Sequence, residues 1–273
     1  MGRIRNVLAL MGTVVLGAVG LVAPVWAQAR QGQPVRTLLA VFAHPDDETI
    51  AGPLLARYGR EAGTRVVLVI VTNGDKGVTP FANIPAGPEL AAARTKEAEC
   101  ACKALGAEPP VVLGFPDGGI DSPRVLADVA GRLREVVARE KPDAIVTWGP
   151  DGGYGHQDHR LVSAVVTQLV QAGDATDRLF YAGLPKSRLE SEAVKALRFP
   201  APFTPVLDAR LTVRVPYTPG DAARARDSLR CHATQFTPQA MELISALTEK
   251  IHGGQMHLRH WADGTPRSDV FED

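Results

Sequence analysis

Two short stretches hold most of the side chains able to do chemistry. "VFAHPDDETI", residues 41–50, crowds His44, Asp46, Asp47 and Glu48 at the end of an apolar run, and "GPDGGYGHQDH", residues 149–159, repeats the mixture with His156 and His159. Carboxylates and imidazoles are costly to hold beside a core unless something pairs with them, and a cation serves several at once. His44, Asp47 and His159 supply two imidazoles and a carboxylate, the ligand set of a catalytic zinc site that keeps room for water. A bound divalent ion brings the pKa of its water from about 15.7 to about 7. Asp46 is then the carboxylate left over to take the proton, because adjacent residues leaving a strand do not readily reach one ion. His156, three residues before His159, is spaced to donate a hydrogen bond to the oxyanion that develops. Zinc suits this mixed set, and ferrous iron accepts a very similar one. The bland alternative makes each histidine a satisfied structural residue and the acidic run a helix cap with neighbours stabilised by the helix dipole.

What decides between these readings is where the two loops fall. From about residue 37 the chain alternates β-branched runs with helical patterns. The runs are "TLLAVFA", "RVVLVIVT", "VVLGF" and "DAIVTWG", and the helices between them cross Leu54 and Tyr58, then "PELAAARTKEAECACKALG", then "RVLADVAGRLREVVARE", with a fourth from about Asp158. Continuous apolar strands separated by helices predict an α/β fold, a Rossmann-like doubly wound and mainly parallel sheet with helices on both faces. In a sheet of order 3-2-1-4-5, ligands bind beyond the carboxyl ends of the first and fourth strands, where the connections diverge. Both loops lie there. "AHPDDE" lacks the glycines of a dinucleotide fingerprint, which disfavours nucleotide binding. Further strands are expected at "RLFYAGL" and "LTVRVPY", and helices at "GDAARARDSLRCHATQF" and "PQAMELISALTEKIHGG".

The 273 residues, 45% hydrophobic with 30 Lys+Arg against 30 Asp+Glu, suffice for one large domain and offer no basic face for nucleic acid. Residues 1–29 combine the basic "MGRIR", an apolar run and the small residues of "VWAQA", the pattern of an export signal, leaving 30–273 as a single domain. A cleaved signal predicts a secreted or periplasmic protein with no membrane span, whereas an uncleaved one predicts an anchor. Cys100 and Cys102 diverge on one helix, so a bond between them is disfavoured; Cys231 is able to pair with either, but the preferred reading makes all three buried small apolar residues. His252, His257 and His260 lack the i, i+4 spacing of a helical metal motif and are expected to be surface or oligomer contacts.

"AHPDDE" together with "GGYGHQDH" resembles the zinc-dependent N-acetylglucosaminyl deacetylases, the LmbE-like or PIG-L family, over about Leu38 to Gln235. The resemblance implies the same ligands, base and oxyanion histidine as the residues themselves suggest. It adds Arg94 and Glu97 of "RTKE", Asp117 of "FPDGG", Tyr154, the loop "TNGDKG", and His232 with Gln235 of "CHATQ" as pocket residues, Arg94, Asp117, Tyr154 and His232 being placed against substrate. For Arg94 and Glu97 the alternative is a surface ion pair, and for His232 a satisfied surface residue. The expected activity is removal of an acetyl or similar small acyl group from an amino sugar or glycoconjugate. Hydrolysis of another amide or ester by the same machinery, and a glycan-binding module without turnover, are the rivals.

Overall fold

The computed structural model describes residues 35–198 and 203–272. The export signal expected over 1–29 lies outside them. Among the described residues, seven strands form one sheet in the order β3-β2-β1-β4-β5-β7-β6. They are β1 (Arg36–Phe42), β2 (Thr64–Thr72), β3 (Val111–Phe115), β4 (Ala144–Trp148), β5 (Leu179–Ala182), β6 (Val213–Pro216) and β7 (Gln255–His260). The first five are parallel, and β7 runs antiparallel to both β5 and β6.

Strand β1 shows why the sheet must be covered on both sides. Leu38, Ala40 and Phe42 pack on one face with Leu54, Leu55 and Tyr58 of α1 (Gly52–Arg60) and Ala98 and Leu105 of α2 (Pro88–Leu105). Leu39 and Val41 pack on the other with Val129, Leu133 and Val136 of α3 (Pro123–Glu140) and Val162, Val166 and Leu169 of α4 (Gln157–Gln171). Alternate residues of a strand point to opposite faces, so a run that is apolar throughout requires two cores. Local chemistry sets the helix ends. Ser122 accepts the Val125 N–H ahead of Pro123, and Gly106 closes α2 in the left-handed conformation.

Two longer helices follow later in the chain: α5 (Pro219–Arg230), opened by a capping box between Thr218 and Asp221, and α6 (Pro238–His252). Helix α5 lies on α1 and α2, and this contact corrects the cysteine reading. Cys100 of α2 and Cys231, just past α5, form a disulfide with Cα atoms 5.7 Å apart, and only Cys102 is a buried free thiol. The pairing depended on helix packing that no spacing in the sequence reveals. Because the bond closes a sequence separation of 131 residues, Cys231→Ser is expected to lower the unfolding free energy by about 2–4 kcal/mol. Denaturant titrations with and without reductant check this, and the variant should no longer respond to reductant.

The stretch from His252 to His260 also differs from expectation. Gly253 and Gly254 end α6 and turn the chain into β7, which inserts between β5 and β6, leaving His252, His257 and His260 all buried. His260 Nε2 donates to the Asp177 carbonyl at 3.0 Å, and the Nδ1 atoms of His252 and His257 face each other at 3.2 Å. Burial, and then the neighbouring His257, push the His252 pKa down to about 3; burial, Arg214 and Arg188 push that of His257 down to about 4, against Asp208. Both rings are therefore neutral when folded and bind protons below about pH 6.5 when unfolded. Stability is expected to be full above that value and to fall as pH drops toward 4. The urea midpoint measured from pH 7 to pH 4 checks this, and its pH dependence should flatten in His252→Leu.

Candidate active site

Strands β1 and β4 are neighbours, and both end at the same crevice. Beyond β1 the chain passes His44 and Pro45 into a tight turn at Asp46, whose φ of 118° lies in the left-handed region. For a residue with a side chain that conformation costs about 1–3 kcal/mol and persists only when its surroundings enforce it. Here they do. The Asp46 N–H donates to Glu48 Oε2 at 3.1 Å, its carbonyl accepts both the N–H and the hydroxyl of Thr49, and its carboxylate meets Arg94 Nη2 at 3.1 Å. Beyond β4, Gly152 and Gly153 adopt positive φ and lead to His156, the residue before α4, with His159 in the first turn of that helix. A Cβ on Gly153 would stand 2.6 Å from the Trp148 ring, so the loop can lie flat on the indole only as glycine.

His44, Asp47 and His159 come together at the centre. His159 Nε2 lies 3.1 Å from Asp47 Oδ1 and 3.2 Å from His44 Nδ1, and His44 Nδ1 lies 3.5 Å from Asp47 Oδ2. The other ring nitrogens fix the tautomers. His159 Nδ1 donates to the Gly152 carbonyl at 3.1 Å, and His44 Nε2 faces Asp158 and Asp117, each at 3.2 Å. In the neutral rings this leaves His159 Nε2 and His44 Nδ1 as bare lone pairs aimed at each other and at a carboxylate. Three electron-rich atoms converging in a buried place repel one another unless a positive charge sits among them. Their separations also suit an ion, since a tetrahedral centre with bonds of about 2.0–2.1 Å spaces its donors about 3.3–3.4 Å apart. The residues therefore fit a divalent cation.

The electrostatics carry the same demand. Burial opposes charge on His44, yet hydrogen bonds to Asp117, Asp158 and Asp47 outweigh it and raise its pKa to about 12. Burial raises Asp47 as well, but His159 and His44 overcome it and hold the carboxyl well below its ordinary range. Asp46 differs. Burial raises its pKa to about 6, with Arg94 pulling down and Asp47 pushing up. A carboxylate raised toward neutrality beside a cation site has the character of a general base.

The nitrogens of His156 also lie within reach, since one atom each from His44, His156 and His159 falls within 4.8 Å of the others. Asp47 is the better third donor, being already within 3.1 Å of His159 Nε2 while its Oδ2 is fixed by the N–H groups of Ala43, His44 and the Trp148 indole. His156 is left with a buried Nδ1 that has no partner, a polar atom available to a ligand. Burial, His44 and His159 lower its pKa, which favours the neutral ring. Tyr154 is half-exposed at the rim, its ring 5.2 Å from that of His159 and 6.0 Å from that of His156.

Arg94 is buried and joins Asp46, the Pro45 and Gly74 carbonyls and the edge of Asp117, so the surface ion pair with Glu97 does not form. Glu97 instead accepts from the N–H and hydroxyl of Thr234. Gln235 donates to Gly77, and Asp75 accepts the Asp117 N–H, so "TNGDKG" braces the same corner. His232 requires a correction. It is fully buried behind the turn, its Nε2 2.6 Å from Glu48 Oε1, and neither touches the crevice nor lies at the surface. Helix α5 carries it inward, and through Glu48 it supports the Asp46 backbone.

The family model described as PIG-L, GlcNAc-PI de-N-acetylase, matches residues 39–170. The 1D-myo-inositol 2-acetamido-2-deoxy-alpha-D-glucopyranoside deacetylase of Acidothermus cellulolyticus is 31% identical over 274 residues, covering 88% of this chain and 94% of that protein. The chain belongs to the PIG-L family. It is accordingly an N-deacetylase, an enzyme that hydrolyses an amide. The PIG-L fold recurs in N,N'-diacetylchitobiose deacetylase from Pyrococcus horikoshii, with a TM-score of 0.60 and 20% identity over 82% of this chain and 83% of that one. A 4-carboxy-2-hydroxymuconate hydratase from Pseudomonas putida shares it nearly as well, with a TM-score of 0.58 and 15% identity over 87% of this chain and 99% of that one. The sheet alone does not select amide hydrolysis; the side chains at its switch point must.

This PIG-L site contains two participants that the sequence reading passed over. Asp158, almost fully buried, accepts from Gly118 at 2.8 Å while facing His44 Nε2, and Trp148 stacks on His159 with ring centroids 4.5 Å apart. A signal for the first was present, because a metal-bound imidazole usually gives its other N–H to a carboxylate and "HQDH" supplies one. Nothing in the sequence marked Trp148 as more than a core residue.

Proposed function

We propose that this chain is a zinc-dependent N-deacetylase that removes an acetyl or similar small acyl group from an amino sugar or glycoconjugate. The observation that carries the reading is the convergence of His44 Nδ1, His159 Nε2 and the Asp47 carboxylate, with the Asp46 carboxylate held beside them by Arg94. The named activities of the Acidothermus and Pyrococcus proteins support the amino-sugar class. A divalent cation held by His44, Asp47 and His159 supplies Lewis acidity toward a carbonyl oxygen and lowers the pKa of water.

The chain's own residues do the rest. Asp46 takes the proton of the attacking water and returns it to the leaving nitrogen, and the Arg94 guanidinium holds its carboxylate in place. His156 and Tyr154 are the donors to the oxygen of the tetrahedral adduct in this reading, which the unpartnered His156 Nδ1 supports. Asp158 and the Gly152 carbonyl keep the two histidines in the tautomers that present lone pairs. Release of acetate and free amine from a panel of N-acetyl amino sugars, with protein stripped by chelator and then reloaded with zinc or ferrous iron, tests the reading. Turnover that survives chelation would overturn it.

The protein is further proposed to be exported, secreted or periplasmic, as a single domain from about residue 30. The composition of residues 1–29 supports this, and so does the Cys100–Cys231 disulfide, because such bonds persist in oxidising compartments. The mature chain is expected to begin near Gln28 or Arg30. N-terminal sequencing of protein from outside the cytoplasm checks it; an intact Met1 in a membrane fraction would favour an anchor.

A further inference from the structure

We infer that the substrate carries a sizeable apolar group, a medium-length acyl chain or an apolar aglycone, and that a preformed hydrophobic subsite beside Asp46 receives it. This rests on the deacetylase reading above and extends it to the substrate's shape. A cavity of about 360 Å³ opens directly from the reacting residues, with Asp46, Asp47, Trp148 and Tyr154 among its lining. Its remaining wall is mostly aliphatic and aromatic, supplied by Ile50, Leu184, Phe203, Phe236, Ile244 and Leu247. Leu184 and Leu247 belong to a small apolar cluster separate from the two cores of the sheet. That cluster is packed from behind by Val194, Leu189 and Leu197, so the wall is built rather than incidental.

The site is two-sided. Arg94, Asp117 and His156 are absent from the lining of this cavity, and Asp117, which faces His44, gathers Arg94 and Asp75 into a polar, charged corner. Hydroxyl groups of a sugar suit that corner better than the apolar wall, because carboxylates there can accept from them. The apolar side offers sugar hydroxyls few partners. An acetyl methyl would also leave most of it empty. Because the cavity begins at Asp46 and Asp47, a group filling it would be covalently part of the substrate. Two attachments satisfy this: the acyl group on nitrogen, or the group on the anomeric oxygen.

Two substrate series separate the attachments. The first lengthens the acyl group of N-acylglucosamine from acetyl to butanoyl to hexanoyl; the second lengthens the aglycone of N-acetylglucosamine from methyl to butyl to hexyl. In one series kcat/KM should rise by about fourfold per methylene over the first few carbons, the gain expected from burying each one. The responding series identifies the attachment. Ile244→Asn, at a half-buried position on the wall, should reduce the ratio of hexyl or hexanoyl to the shortest member at least tenfold. Binding of hexyl β-glucosaminide against methyl β-glucosaminide, followed by calorimetry on the zinc-loaded protein, needs no turnover. If no N-acyl sugar is hydrolysed but hexyl binds at least tenfold tighter than methyl, the activity reading fails and the subsite stands. If acetyl sugars are hydrolysed while both series and the binding comparison stay flat, the subsite is wrong and the activity reading stands.

Discussion

Asp46→Asn protein is expected to load a full complement of metal and to lose on the order of 10²–10⁴-fold in kcat, the usual contribution of a positioned proton acceptor. The amide keeps the size of the carboxylate, and the Asp46 backbone is held by Glu48 and Thr49 irrespective of its side chain. The donors proposed for the metal, His44, Asp47 and His159, do not include it. What the variant loses is an oxygen able to accept a proton, together with the ion pair to Arg94 at 3.1 Å. Metal content measured beside steady-state kinetics tests this. If metal and rate disappear together, Asp46 is a ligand and Asp47 is not.

His159→Ala should remove metal and activity at once. Three protein donors leave no spare, and losing one typically lowers occupancy below detection after dialysis. The same change frees the Gly152 carbonyl and unstacks Trp148, so the glycine loop loses its support. His159→Gln shares the loss of the imidazole donor while filling more of the space. Both variants should therefore fail to retain zinc, with the glutamine variant unfolding at the higher denaturant concentration of the two. Zinc retained at wild-type stoichiometry in either would move the ligand set toward His44, Asp117 and Asp158, whose donor atoms also approach one another within 4.8 Å.

The legible part of this protein was the part written in short range. Strand β3 was readable to the residue and α4 from its first turn, because β-branched runs and helical spacing act locally. The meeting of His44 and His159 was also legible, since the strand order brings the ends of β1 and β4 side by side. What escaped were contacts made by packing. His232 was read as a pocket residue because it follows a family pattern, whereas α5 turns it inward onto Glu48. The disulfide was missed for the same reason, and β7 because two glycines and three histidines conceal a strand of only six residues. Asp158 is an intermediate case: its position was known, but its partner His44 is distant in sequence.

The insertion of β7 has a consequence for how the molecule assembles. β5 follows β4 in the parallel run, but its other edge stays open until Phe180 meets His260, and the tail beyond then returns to α1, where Tyr58 bonds Asp269 and Val270. Contacts so distant along the chain form slowly, since loop closure precedes any gain from pairing. A nascent chain therefore carries the residues of its proposed catalytic centre long before it can close the sheet around them. During that interval the unpaired edge of β5 is a template for aggregation. A polypeptide held unfolded until its last strand has emerged avoids this hazard, and translocation of an unfolded chain imposes that order of events. Truncation before Gln255 should yield insoluble protein although every residue proposed to act on substrate is present.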